Sequence, residues 1–225
     1  MTAPRPRQQP RLYTVEEYLA LDAAAPEGVR YEYANGLVTA MSGASGNHEL
    51  LVMRIGALLV NGTRGRGCSV FGSSLRVGVR ASQAYKYPDL SALCGRPEFE
   101  NTRPETLLNP SVLVEVLSRS TERRDRGDKF AHYQLIPSLR EYVLVAQDHM
   151  RVERYARLGS SWNSSTLEVL TRPDDVLELP SVACSLPLGE VYQGVDFPDG
   201  PGWTPRLLRE EAAPAYSRGA AAAGA

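Results

Sequence analysis

The segment Ser111-Val-Leu-Val-Glu-Val-Leu-Ser118 constrains this chain more than any other. Val112, Leu113, Val114, Val116 and Leu117 are apolar at odd and even positions alike. A strand built from them presents apolar side chains on both faces, so both faces must be covered. That places it in the middle of a sheet with packed layers on either side. Glu115 interrupts the run. An ionised carboxylate in apolar surroundings is very costly, so a metal, a basic side chain or a bound proton has to compensate it.

The flanking sequence supplies the other layers. Thr14-x-x-Glu17 is a capping-box pattern that opens a short amphipathic helix over TVEEYLALDAAA. Asn35-Gly36 lies between two strand-like runs and signals a tight hairpin. Residues 47–61 read as a helix with an apolar face of Leu50, Leu51, Ile55, Leu58 and Leu59, with Asn47 at its N-cap. Three strand candidates follow: CSVFG, SLRVGVR and YPDLSALCG. The middle one alternates Leu75, Val77, Val79 with Arg76, Gly78, Arg80 and is predicted half-exposed. A polar loop over 95–109 leads to the central strand. Residues 122–136 read as a helix ended by Pro137. REYVLVAQ and MRVERYA form a second hairpin around Asp148-His149, and short strands with a final SLPLGEVY element complete the body. The order predicts one α/β (α+β) domain over 13–193, between a flexible arm (1–12) and a low-complexity tail (194–225).

Composition excludes several function classes. No apolar run spans a bilayer, and the basic start MTAPRPRQQPR has no apolar core of a signal peptide. Cys68, Cys94 and Cys184 form no CxxC, which argues against a disulfide framework or zinc site and fits a reducing cytoplasm. A net charge of -1 argues against a strongly basic nucleic-acid scaffold. Arg119, Arg123, Arg124, Arg126 and Lys129 are interleaved with Glu122, Asp125 and Asp128, the pattern of a solvated mixed-charge helix face.

Asp89 poses the same question as Glu115, because it follows Pro88 and opens the apolar LSALC. If the two strands are neighbours, both carboxylates converge, and with water and phosphate oxygens they make a Mg²⁺ environment. Arg126, Lys129, Phe130 and Tyr133 form one helical stripe. The aromatic pair seeks the core and turns Lys129 towards the sheet. Lys129 lies about 10 Å into its helix, and Glu115 about 7 Å back from the end of its strand, so an antiparallel return brings them level. A lysine snorkelling to water is the plainer alternative.

Pro88-Asp89 and Glu115-Val116-Leu117 resemble the PD-(D/E)XK nuclease superfamily. More narrowly, YTVEEYLAL, YEYANGLVTAMSGAS, SSLRV, YPDLSALCG, LLNPSVLVEVLSRST, RGDKFAHYQLIPSLREYVLV and DVLELPS resemble the bacterial Uma-two family of restriction-endonuclease-like proteins over residues 12–192. The superfamily usually carries its lysine two residues after the acid, where this chain has Leu117. Members of the narrower family use a lysine moved to the following helix, and Lys129 matches that pattern. The resemblance implies a restriction-endonuclease-like core, a central mixed sheet flanked by helices. It also implies a metal-dependent phosphodiesterase acting on DNA, with Asp89 and Glu115 holding Mg²⁺ or Mn²⁺ and Lys129 stabilising the reacting phosphate. Glu32 and His48 match further positions of the family pattern, which implies catalytic roles for both: Glu32 as a further acid and His48 contacting phosphate or positioning water. Their plain alternatives are a strand-face charge beside Arg30 and a capping histidine. Tyr133 reads as core. A homodimer suits cutting of both strands of a duplex. Two other readings stay open: a nuclease-like fold that binds without cutting, and a buried Glu115–Lys129 salt bridge in an unrelated domain.

Overall fold

The computed structural model describes residues 11–41, 43–162 and 166–197; most of the predicted arm and tail lies outside these. Thr14 caps the first helix, α1 (Val15–Ala23). Its hydroxyl accepts from the Glu17 N–H at 3.2 Å, and Glu17 accepts from the Thr14 N–H at 2.9 Å. The Asn35-Gly36 turn joins β1 (Tyr31–Ala34) to β2 (Leu37–Ala40), with φ of 51° and 80° at the two turn residues. A two-residue hairpin of matching twist needs that left-handed backbone. α2 (Gly46–Gly62) buries Leu51, Ile55 and Leu59. Its N-cap is Ser45, not Asn47, because Ser45 has the extended backbone of a cap and accepts from the His48 N–H at 3.2 Å. Asn47, inside the first turn, instead donates to the carbonyls of Gln147 (3.2 Å) and Asp196 (2.7 Å).

The strands β3 (Cys68–Gly72), β4 (Arg76–Val79), β5 (Ala84–Lys86), β6 (Leu90–Cys94), β7 (Phe99–Glu100), β8 (Thr106–Leu107) and β9 (Val112–Leu117) follow. After them come α3 (Glu122–Arg124), α4 (Phe130–Tyr133), β10 (Glu141–Ala146), β11 (Val152–Ala156), β12 (Leu167–Leu170), β13 (Val176–Leu179), β14 (Cys184–Pro187) and α5 (Leu188–Val191). One six-stranded sheet runs β12-β11-β10-β9-β6-β3 and another runs β2-β1-β5-β4-β8-β7. β9 is central, parallel to β10 and antiparallel to β6, and all six of its residues are buried. Val112, Val114 and Val116 pack with α2, α5 and the β13–β14 ribbon. Leu113 and Leu117 pack on the opposite face with Tyr133, Tyr142, and Val77 and Leu107 of the other sheet. The two-sided covering read from the sequence is this pair of cores. Val195 and Phe197 also pack against the first of them, so the body continues past residue 193.

Four further expectations are corrected. β4 is buried on both faces rather than half-exposed, because Arg76 finds partners inside. It donates to Asp22 Oδ2 (2.7 Å), Thr106 Oγ1 (2.8 Å), Thr102 Oγ1 (3.0 Å) and the Pro104 carbonyl (2.8 Å). The region 95–109 is not all loop, since β7 and β8 extend the second sheet. Cys68 and Cys94 face each other across the β3–β6 pair and form a disulfide; Cys184 is free and buried. The helix predicted over 122–136 is broken: a five-residue π turn, Asp125–Lys129, separates α3 from α4.

Arg76 is fully buried, and Asp22 also accepts from the Tyr87 hydroxyl at 2.6 Å. Removing one partner of a buried pair strands the other charge, which typically costs about 3–5 kcal/mol. Asp22→Ala is expected to lower the unfolding free energy by about that amount in urea titration. A loss below about 1 kcal/mol would mean the hydroxyl and carbonyl acceptors suffice for Arg76.

Candidate active site

Strand alternation turns Glu115 to the face of Leu113 and Leu117, under α4. There its Oε1 accepts from Lys129 Nζ at 2.9 Å and from the Tyr133 hydroxyl at 3.0 Å. Lys129 comes from the end of the π turn, which carries one residue more per turn than an α-helix. Asp125 stands four residues before Lys129, a spacing that shares one helix face, so both point inward, 3.3 Å apart. Lys129 Nζ also lies 3.1 Å from Glu32 Oε1. Glu32 reaches it from β1, held by the Tyr87 N–H at 3.1 Å and flanked by Arg124 (3.4 Å) and Lys86 (3.8 Å). One ammonium, with three hydrogens, thus serves three carboxylates from three segments of the chain.

Asp89 arrives by register. β6 pairs with β9 as Leu90↔Val114, so the next residue along brings Asp89 level with Glu115. Asp89 Oδ2 accepts from the Val116 N–H at 2.7 Å and lies 3.3 Å from His48 Nε2. His48, in the first turn of α2, reaches over the end of the sheet to make that contact. A cavity of about 230 Å³ opens here, lined by His48, Asp89, Glu115, Asp125, Lys129 and Arg124, among others. The structure therefore gathers Glu32, Glu115 and Lys129 in one buried cluster and sets Asp89 and His48 beside it.

Sequence reasoning missed four contributors. Asp125 looked like part of a solvated charge run, yet it is 1% exposed, while Arg123 and Asp128 of the same run face solvent. Its position four residues before Lys129 was the available signal. Lys86, two residues before Pro88, is buried beside Glu32. Arg124 was counted only as surface charge. Tyr133, expected in the core, is there and also donates to Glu115.

The charges follow from this sharing. Burial drives the Glu115 carboxyl well above its ordinary range; Lys129 opposes this, and Asp125, Asp89 and Glu32 reinforce it. Burial also disfavours the Lys129 ammonium, but Glu115, Glu32 and Asp125 together hold it protonated. Glu32 is pushed up by burial and pulled further down by Lys129, Lys86 and Arg124, so it stays ionised. The same burial depresses Lys86. Burial lowers His48, and Asp89 with Glu49 more than reverses that.

Metal ligation can be tested on the donor set. Among the described residues, no three His, Cys, Asp or Glu side chains are arranged as a cage. Glu115 Oε2 and Asp89 Oδ1 make no hydrogen bond among the described residues, and both side chains line the cavity. Asp125 Oδ1 and Glu32 Oε2 are buried without a hydrogen-bond partner. Two open carboxylate oxygens beside a cavity fit a hard cation such as Mg²⁺, which usually keeps several waters and takes one or two carboxylates.

Comparison with known proteins agrees with this architecture. A family model, Uma2, described as "Putative restriction endonuclease", matches residues 15–189. The chain is 32% identical over 196 residues to the uncharacterized protein slr1290 of Synechocystis sp. (strain ATCC 27184 / PCC 6803 / Kazusa), covering 87% of this chain and 97% of that one. It is 34% identical over 149 residues to the uncharacterized protein sll1609 of the same organism, covering 66% and 83%. Among solved structures it resembles "a putative nuclease belonging to DUF820" from Anabaena variabilis, with a TM-score of 0.64 at 19% identity, covering 80% of this chain and 98% of that one. That likeness shows a shared fold.

A raised folded-state pKa means that Glu115 stabilises the fold fully below the ordinary carboxyl range. That contribution is lost as pH rises through the raised value. Glu115→Gln removes the titration. Between about pH 5 and pH 8 the unfolding free energy of the variant is expected to gain on wild type, by at most about 1.4 kcal/mol per pH unit. Urea titrations of both proteins across that range check it; a constant difference would show Glu115 ionised throughout.

Proposed function

The chain belongs to the Uma2 family, described as "Putative restriction endonuclease", and we propose from that premise that it is a metal-dependent DNA endonuclease. The observation that carries this reading is the buried cluster of Glu115, Glu32, Asp125 and Lys129 opening, with Asp89, on a cavity. A cluster of excess buried negative charge is a poor device for stability and a good one for holding a cation.

In this reading Asp89 and Glu115 would hold Mg²⁺, with Mn²⁺ as the alternative ion. Such an ion, when bound, lowers the pKa of a coordinated water and offsets charge on a phosphoryl oxygen. The protein's own groups do the rest. Lys129, kept protonated, presents positive charge where negative charge develops on phosphorus. Tyr133 and Lys129 fix Glu115 Oε1, leaving Oε2 towards the cavity. His48 and the Val116 N–H fix Asp89 Oδ2 in the same way. Glu32 and Asp125 hold the ammonium in place and act as positioning residues. DNA would be the partner in this reading, and a homodimer would place two such sites for cuts on opposite strands.

One observation favours a second reading, a nuclease-like fold that binds DNA without cutting it. Lys129 Nζ lies within 3.3 Å of three carboxylate oxygens, so its charge is already matched inside the protein.

Calorimetric titration with Mg²⁺ and Mn²⁺ is expected to show binding to wild type and none to Glu115→Gln. Lys129→Ala is expected to keep metal affinity and lower DNA cleavage by at least about 100-fold, the usual scale for losing one preorganised charge donor. Unchanged cleavage in Lys129→Ala would move the catalytic role elsewhere. DNA binding without cleavage by wild type would favour the second reading.

A further inference from the structure

The cavity has a second wall that the carboxylates and Lys129 do not use. It is formed by Ser118, Ser120, Thr121 and Arg124, the exit of β9 and the residues leading through α3. Arg124 lends one terminal nitrogen to Glu32 at 3.4 Å, but its Nε is buried with no hydrogen-bond partner. A buried guanidinium N–H without an acceptor is costly, and it is relieved by a ligand that accepts. The hydroxyls point the same way. Ser118 Oγ lies 2.9 Å from Thr121 Oγ1 and 3.1 Å from Ser120 Oγ. Three hydroxyl hydrogens share two contacts, so one donor is left over at the cavity.

The surroundings are polarised. On the Arg124 side, the surface carries Arg119, Arg123, Arg124 and Arg126 against Glu122 and Asp128. Arg119 and Arg123 are exposed and form no ion pair among the described residues. On the other side, the adjoining trough carries Glu122, Asp148 and Asp196 against Arg119 and His149, and His149 is paired with Asp148 at 2.7 Å. An anionic chain entering the cavity is drawn to the first side and repelled from the second.

We infer that Ser118, Ser120, Thr121 and Arg124 form a phosphate seat facing the acidic cluster. The substrate backbone then leaves the cavity over Arg123, away from Asp148 and Asp196. The seat explains how an anion approaches a centre rich in carboxylates: the fork of Arg124 and the hydroxyls lining the same cavity meet the phosphate oxygens. The identity of the substrate as nucleic acid rests on the nuclease reading. The seat itself rests on the unpartnered donors.

The test measures binding without metal. A fluorescent thymidine hexanucleotide and, separately, inorganic phosphate are titrated into wild type, Arg124→Ala, Ser120→Ala and Arg80→Ala in the presence of a chelator. Arg80 is exposed, lines other cavities and controls for simple loss of charge. Ser120 is exposed, so its variant tests the seat even if Arg124→Ala disturbs folding. Arg124→Ala is expected to weaken both ligands at least about tenfold, and Ser120→Ala by a smaller factor of about threefold, with Arg80→Ala unchanged. Oligonucleotide binding that ignores Arg124 and Ser120 overturns the seat and leaves the nuclease reading standing. Arg124-dependent phosphate binding without oligonucleotide binding keeps the seat and removes nucleic acid as its ligand. Binding of neither ligand overturns the seat and leaves the metal-dependent nuclease reading to the cleavage assay.

Discussion

The ammonium of Lys129 ties three separate parts of this protein together. Its partners are Glu115 at the centre of one sheet, Glu32 in the hairpin of the other, and Asp125 one π turn upstream on its own helix. Remove the positive charge and three buried carboxylates face one another with only Lys86 and Arg124 near, both of them beside Glu32. Asp125 and Lys129 stand four residues apart, a spacing that shares one helix face, so a single turn carries the segment's carboxylate and ammonium inward together.

The sequence showed what is local and hid what is distant. Thr14 and Glu17 cap a helix, and Asn35-Gly36 makes a hairpin, because those signals act within three or four residues. The double-sided apolar run of 112–117 announced a central strand, since only coverage on both faces suits it. Asp89, Glu115 and Lys129 stood out as polar groups in apolar patterns. Arg76 did not, because alternation made it look solvent-facing while its carboxylate partner lies 54 residues away. The Cys68–Cys94 bond is a product of β3–β6 register across 26 residues, invisible to spacing rules. Asp125 was hidden differently: it sits in a run where Arg119, Glu122, Arg123 and Asp128 face solvent, and only its spacing from Lys129 sets it apart.

The cluster's composition bears on what the fold is for. Buried ion pairs rarely improve on a well-packed apolar replacement, because desolvation offsets most of the attraction. This one is worse than a pair, with acids in excess around a single lysine and Glu115 driven towards its neutral form. Arg76 and Asp22 provide the internal contrast. That pair is closed: Arg76 meets four acceptors, and Asp22 takes further donors from Tyr87 and the Tyr31 backbone. It opens on no described cavity of the site and supports only architecture.

The site's cluster is open by the same measure. Glu115 Oε2 and Asp89 Oδ1 are unspoken for, Asp125 Oδ1 and Glu32 Oε2 lack hydrogen-bond partners, and Arg124 Nε has no acceptor. Glu32 Oε2 and Arg124 meet as an ion pair at 3.4 Å, but Glu115 Oε2, Asp89 Oδ1 and Arg124 Nε keep no hydrogen-bond partner among the described residues around one cavity. A species carrying positive charge towards the acids and oxygen atoms towards the arginine resolves both deficits at once. A divalent ion bridged to a phosphate has that charge distribution, and a simple cation or a simple anion alone does not. The two walls thus point to a joint ligand, which ties the acidic half of the site to the phosphate seat more firmly than either half does alone.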